Sequence, residues 1–404
     1  GKLVLPGVID AHTHMAAENY GISSSDDFLS GTRAAACGGV TTIIDFTVGA
    51  QETSIPEEIE ARKEEAAPSV IDYALHAEVI GWKPGQGKEL EEAREAGVRS
   101  FKFYMAYGSL GQRADTGVLY HAFRKIEEID GVAMVHAEDD PIIESLVANL
   151  SPEQRATMSA YPGTRPAVCE GAAIEQAIYL AEQTRARLHV VHVSSALGLK
   201  AIRQSRSRGV WVSGETCPQY LLLTEDIYQQ EDGHQFSVMP PLRTGADQDS
   251  LWSALRDGTL DLVATDHCPF TREQKTWNGS FLDLPYGLPG VETLLPLLYS
   301  EGVRKECIPL TTLPRLLSEG PARVNGLYPR KGALSIGADA DIVIFDPEKE
   351  WTIHAENLRM ATDFSPYEGM TVHGAVETAI SRGRIVYANE TFQGEEGWGR
   401  FIPC

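Results

Sequence analysis

A (β/α)8 barrel of the TIM type with a small flanking β-sandwich module is the fold class that this sequence predicts. Three observations predict it. Eight short apolar runs alternate with helix-like stretches from Leu3 to His267, a pattern that demands parallel strands joined by crossover helices. His, Asp and Lys recur at the carboxyl ends of these runs, where such a barrel carries its chemistry. No Gly-x-Gly-x-x-Gly opens the first strand–helix unit, which disfavours a doubly wound open sheet.

Each run is bounded by glycine or polar clusters, as buried strands are. Leu3–Ile9 ends in Asp-Ala-His-Thr-His (10–14), Val40–Ile44 in Asp45, and Val70–Ala77 passes through His76 into Glu78. Val98–Phe103 carries Lys102, with Tyr104 and Tyr107 just beyond. Val132–Val135 leads to His136 and Glu138, and Leu188–Val193 contains His192. Val210–Ser213 leads to Glu215, and Leu260–Ala264 to Thr265-Asp266-His267. Helices are expected over Asp26–Cys37, Pro56–Ala67, Lys88–Ala96, Leu119–Ile129 and Cys169–Thr184. Glycines follow the first and third of these, where a left-handed stop is needed. The barrel is assigned residues 1–330. Residues 331–404 are read as the C-terminal part of the small β-sandwich and a tail. Strands are expected there over Gly332–Phe345 and Val376–Ala388, the latter with a tight Arg-Gly turn.

Composition excludes several function classes. The 35 basic against 57 acidic residues give a net charge of -22, which repels phosphate backbones, so no nucleic acid is expected as a partner. No apolar run reaches the roughly 18–20 residues needed to span a bilayer. The 6 cysteines lack any Cys-x-x-Cys pair and read as reduced thiols of a cytoplasmic enzyme. The sequence begins at Gly1 without Met and enters an apolar strand at once, so an upstream piece is expected.

His12 and His14 flank one residue, and in an extended strand both side chains face one way. Alone, such a pair carries little weight. His136 and His192 each end a separate strand, and a single buried histidine is more often merely hydrogen-bonded than a ligand. Four converging at one barrel mouth reverse those odds. Asp266 ends the eighth strand, where a carboxylate can bind a metal and take a proton, although helix capping is its ordinary role. His267 faces the other way and reads as structural. Lys102 lies in Ser-Phe-Lys-Phe-Tyr; burial lowers an amine's pKa, and the neutral amine can take up carbon dioxide as a carbamate. Snorkelling, or pairing with Glu78, is the alternative. Tyr104, Tyr107, Met15 and Tyr20 are candidates for an apolar rim, with plain packing rated equal for Tyr104 and Tyr20. Cys217 and Cys268 read as small buried hydrophobes.

Seven segments occur in order: Asp-Ala-His-Thr-His (10–14), Ser-Phe-Lys-Phe-Tyr-Met-Ala-Tyr (100–107), Val-His-Ala-Glu (135–138), Val-His-Val-Ser-Ser (191–195), Gly-Glu-Thr-Cys-Pro-Gln-Tyr-Leu (214–221), Pro-Pro-Leu-Arg (240–243) and Thr-Asp-His-Cys-Pro-Phe (265–270). With 337–346, Ser-Pro-Tyr-Glu-Gly-Met (365–370) and Gly-Trp-Gly-Arg-Phe (397–401), they resemble the hydantoinase/dihydropyrimidinase group of cyclic amidohydrolases across essentially the whole chain. The resemblance implies two zinc ions per subunit. His12, His14 and Asp266 would hold the buried one and His136 and His192 the exposed one, with N6-carboxylated Lys102 and a hydroxide bridging them. Asp266 is implied as the catalytic base and Tyr107 as the oxyanion donor. The backbone near Met239 and Tyr286 is implied to bind the ring imide. Hydrolysis of a hydantoin, 5-substituted hydantoin or dihydropyrimidine to an N-carbamoyl amino acid follows, in a homo-oligomer, by resemblance a tetramer.

Departures weigh on the substrate. Dihydroorotase-like relatives place an arginine soon after the second His, where Met15 stands; an allantoinase-like acidic-Pro-Gly loop is not matched by 16–19. A neutral ring is therefore expected. Met239 and Tyr286 replace the group's usual Ser and Asn. The N-terminal strands of the small sandwich are expected to be missing. Allantoinase or dihydroorotase activity, a metal-dead scaffold and a mononuclear deaminase are the rival readings, and Lys102 in its Phe-Lys-Phe-Tyr setting speaks against the deaminase.

Overall fold

Continuous apolar runs become buried parallel strands when helices cover one face and the barrel interior the other. The computed structural model describes residues 1–19, 21–50 and 52–404. In it β1 (Leu3–Pro6) precedes β2 (Val8–Thr13), and a short hairpin pairs β3 (Glu18–Asn19) with β4 (Ile22–Ser23). There follow β5 (Val40–Phe46), β6 (Asp72–Glu78), β7 (Ser100–Tyr104), β8 (Val132–His136), β9 (Arg187–Val190), β10 (Val212–Thr216) and β11 (Leu262–Val263). Strand β2 and strands β5 to β11 form one eight-stranded sheet in chain order, each neighbouring pair parallel. Its edges meet at the carboxyl end. There Thr13 bridges His267 in parallel, and His14 N donates to the His267 carbonyl at 2.8 Å. The expected barrel is formed and nearly closed.

Crossover helices start where the sequence supplies caps. Asp27 and Ser30 make a reciprocal capping box for Phe28–Cys37, and Ser54 and Glu57 make another for Ile55–Glu65. The first helix stops at Gly38-Gly39, with Gly39 at φ 84°, a backbone setting that strains other residues.

One strand differs from the sequence reading. The run expected as a single strand, Leu3–Ile9, divides at Gly7, whose added Cβ would sit 2.1 Å from Thr41 Oγ1. Only Val8–Thr13 enters the barrel. Leu3–Pro6 pairs antiparallel with β12 (Ile342–Thr352), opening a five-stranded sheet continued by β13 (Thr371–Ser381), β14 (Arg384–Ala388) and β15 (Thr391–Phe392). The strand expected over Gly332–Phe345 begins only at Ile342, because Gly337 turns the chain at φ 96° and Asp339 and Asp341 face Lys331. Arg382 and Gly383, both at positive φ, make the expected tight turn between β13 and β14.

A buried ion cluster fastens this sheet to the barrel. Lys331 Nζ is 2.6 Å from both Asp72 of β6 and Asp341, and Arg382 Nε donates to Asp72 at 2.9 Å. Removing the cation would strand buried carboxylates, so Lys331→Met is expected to cost about 3–5 kcal/mol in urea unfolding. A loss below about 1 kcal/mol would show that the cluster does not fasten the two sheets.

Candidate active site

Because side chains at strand ends face the barrel mouth, five separate strand ends bring the expected ligands together. His12 Nε2 and His14 Nε2 lie 3.2 Å apart, and Asp266 Oδ1 is 3.1 Å from the first and 3.2 Å from the second. His136 Nδ1 and His192 Nε2 are 3.0 Å apart, and the His12 and His192 rings adjoin at 5.6 Å between centroids. Lys102, His12, His136 and His192 are buried, His14 partly so. His192 (φ 39°), Asp266 (φ 54°) and Tyr107 (φ 67°) hold the left-handed backbone region. Non-glycine residues there are strained by about 1–3 kcal/mol, and such strain gathers at functional sites.

Lys102 neither snorkels nor pairs with Glu78. Its Nζ lies 4.8 Å from the Phe46 ring centroid and 5.0 Å from that of Tyr104, with no ion-pair partner among the described residues. Glu78 instead accepts from the Tyr104 hydroxyl and, at 3.1 Å, from Gly49 N. Burial lowers the Lys102 pKa, and the more distant Asp266, Glu78 and Glu215 only partly oppose it.

Two carboxylates, to which sequence reasoning gave no role, set the imidazoles. Glu215 Oε1 is 2.5 Å from His12 Nδ1, and its other oxygen is 3.1 Å from His189 Nε2. Glu138 Oε2 is 2.8 Å from His136 Nε2 and is also held by Arg165. In each case the carboxylate holds the outer ring nitrogen as a donor, the arrangement that would turn the inner nitrogen's lone pair to a bound cation. Glu138 carried a legible signal: it lies two residues beyond His136, on the same face of an extended chain. Glu215 carried only its place in a quoted segment. Arg165 carried none.

The donor set fits bound cations. Burial disfavours a charged His12, yet the Asp266 and Glu215 carboxylates outweigh it and push the imidazole up to about 9. That corner of the site therefore calls for positive charge. Burial, joined by neighbouring cations, lowers His136 and takes His192 well below its ordinary value, leaving neutral imidazoles suited to coordination. His12, His14 and Asp266 offer three ligand atoms within 4.8 Å of one another.

Above this cluster opens a cavity of about 210 Å³, lined also by Tyr104, Tyr107, Met239 and Tyr286. The Tyr107 hydroxyl lies 3.5 Å from His136 Nδ1, and its ring faces the Arg165 guanidinium at 5.6 Å. Met15 does not join the rim. It is fully buried, its sulfur 2.2 Å from where a Cβ on Gly31 would stand, so the helix Phe28–Cys37 seals it off. Tyr20 lies outside the described residues. Val48 and Leu110 take the apolar places at the mouth. His267 is structural, its Nε2 3.1 Å from Asp26 Oδ2 and its Nδ1 accepting from Gly290 N. Cys217 is fully buried; Cys268 touches the cavity, with burial pushing its thiol pKa up.

Besides Arg165, the structure brings to the site a further cation that the sequence reading did not place. Arg62 lines the cavity, but its guanidinium is committed to Asp45, Glu65 and the Met15 carbonyl. Asp45 in turn accepts from Thr13 Oγ1 at 2.8 Å and Met15 N at 2.9 Å, fixing the turn that carries His14. No helix of the described residues is long and apolar enough to cross a membrane.

Comparison with known proteins agrees with this geometry. The model of the amidohydrolase family matches residues 3–386. The chain is 40% identical to the D-phenylhydantoinase of Escherichia coli O1:K1, across 100% of this chain and 88% of that protein. The crystal structure of dihydropyrimidinase from Brevibacillus agri NCHU1002 is 38% identical, with a TM-score of 0.97 over 100% of this chain and 88% of that one. The L-hydantoinase (dihydropyrimidinase) of Arthrobacter aurescens is 32% identical, with a TM-score of 0.92 over 100% and 89% of the two chains. Matched over nearly its whole length, the chain belongs to the amidohydrolase family, among its hydantoinase and dihydropyrimidinase members.

Proposed function

We propose that this protein hydrolyses a ring amide of a neutral cyclic imide, such as hydantoin, a 5-substituted hydantoin or dihydrouracil, to an N-carbamoyl amino acid. One observation carries the reading: His12, His14 and Asp266 meet the His136–His192 pair at one barrel mouth, beside a buried Lys102 that has no ion-pair partner among the described residues. These residues would hold two zinc ions, His12, His14 and Asp266 the inner and His136 and His192 the outer, with Lys102, carboxylated by carbon dioxide, between them. Bound there, zinc supplies a Lewis acid for the ring carbonyl and lowers the pKa of water so that hydroxide is available near neutrality.

The chain's own groups do the rest. The Asp266 carboxylate accepts the proton of the attacking hydroxide and returns it to the ring nitrogen as the carbon–nitrogen bond breaks. The Tyr107 phenol donates to the oxyanion that forms on the carbonyl, and losing one such donor typically costs about 100–1000-fold. Glu215 and Glu138 hold His12 and His136 in the tautomers that coordination requires. The ring is taken to be neutral because Arg62 is already bound by two carboxylates. Among the described residues lining the cavity, a substrate carboxylate would thus meet no uncommitted guanidinium. Six unpaired cysteines suit the cytoplasm, and assembly as a homotetramer is carried over from the resemblance.

The test is kcat/KM for dihydrouracil, hydantoin, dihydroorotate and allantoin on one zinc-loaded preparation. One of the first two is expected to lead. If dihydroorotate or allantoin led by tenfold, about 1.4 kcal/mol of transition-state preference, the ring assignment would be wrong. Absence of turnover on all four would favour the scaffold reading.

A further inference from the structure

Outside the ligand cluster lies another buried lysine, and unlike Lys331 it has no ion-pair partner among the described residues. Lys275 is 1% exposed, and its Nζ donates to three backbone carbonyls: Gln235 at 3.0 Å, Ser237 at 2.9 Å and Gly287 at 2.6 Å. Three acceptors match the three N–H bonds of an ammonium. Burial pushes its pKa down to about 7, with only Cys268 opposing that shift. The carbonyls belong to two loops far apart in sequence. One leads into Val238 and Met239, the other ends in Tyr286 and Gly287, and all four residues line the cavity.

Other bonds join the same loops. Gly287 N donates to the Ser237 carbonyl at 3.0 Å, and Ser237 Oγ to the Pro285 carbonyl at 2.8 Å. Gly287 leaves no room for a side chain there, since a Cβ would stand 2.4 Å from the Cys268 carbonyl. The two loops therefore meet backbone to backbone, and the ammonium sits at their junction.

We infer that Lys275 is a positioning residue for substrate recognition: it pins the 235–239 and 285–287 loops together, so that their backbone meets the non-reacting side of the ring. The inference rests on the reading that a ring imide is held by backbone near Met239 and Tyr286. The hydrogen bonds of Lys275 go to the loop carbonyls and, among the described residues, none goes to the ligand cluster, so its removal should weaken ring binding in ground and transition state alike. Such uniform loss raises KM and spares kcat.

Steady-state kinetics on the zinc-loaded enzyme with dihydrouracil and hydantoin test this, beside metal content for each variant. Lys275→Met should raise KM about tenfold or more, with kcat within about threefold and two zinc ions retained. Ser237→Ala, which loses only the neighbouring bond to Pro285, should raise KM about threefold, and it answers the question if the methionine variant does not fold. An unchanged KM in a folded Lys275→Met, or in Ser237→Ala should the former not fold, overturns the inference, as does loss of kcat together with zinc. If the unmodified enzyme opened neither ring, the functional reading itself would have failed; if it opens one and KM does not move, only the role of Lys275 is refuted.

Discussion

Replacing Asp266 by asparagine is expected to lower kcat by about three orders of magnitude while leaving the barrel folded. The carboxylate lies within 3.2 Å of two imidazole nitrogens. Burial would raise its pKa, but His12 and His14 hold it well below the ordinary carboxylate value. It is thus ionised and aimed at the centre, with its backbone fixed at φ 54°. Asparagine keeps the shape and one oxygen but accepts no proton, and a positioned general base contributes about 100–10,000-fold. Circular dichroism and zinc content control for folding and loading. A folded variant retaining kcat within tenfold of the parent would place the base elsewhere.

The second large effect concerns Lys102. Lys102→Ala is expected to drop zinc below two ions per chain and to abolish measurable turnover. Thermal stability of the chelated protein should not fall much. That contrast follows from the side chain's surroundings: the ammonium is buried over two aromatic rings with no ion-pair partner among the described residues, so the fold draws little support from its charge. An added small carboxylic acid should restore zinc and activity in part by standing in for the carbamate. An alanine variant with two zinc ions and full turnover would sink the bridging role.

Much of this site is legible in the sequence, because a parallel barrel converts sequence order into position. Once His12, His136, His192 and Asp266 are read as strand ends, the fold leaves them one place to converge. What resisted reading was whatever depends on contacts between remote segments. Met15 looks like a rim residue beside His14, yet a glycine one turn into the next helix draws it into the core. Arg62 sits on a helix surface in sequence terms, but Asp45 turns it inward to brace the ligand strand. Leu3–Pro6 is as apolar as a barrel strand, and only its pairing with Ile342–Phe345 assigns it to the other sheet. Lys275 gave no signal at all, since its partners are backbone carbonyls that no side-chain pattern encodes.

The most direct test of the central claim is a zinc titration of chelator-treated protein, with dihydrouracil and hydantoin ring opening followed at each addition. Two cation positions sharing Lys102 predict negligible activity at the start and a plateau at two zinc equivalents per chain, with an N-carbamoyl amino acid as the product. Full activity after chelation, or a plateau at one equivalent, would contradict it.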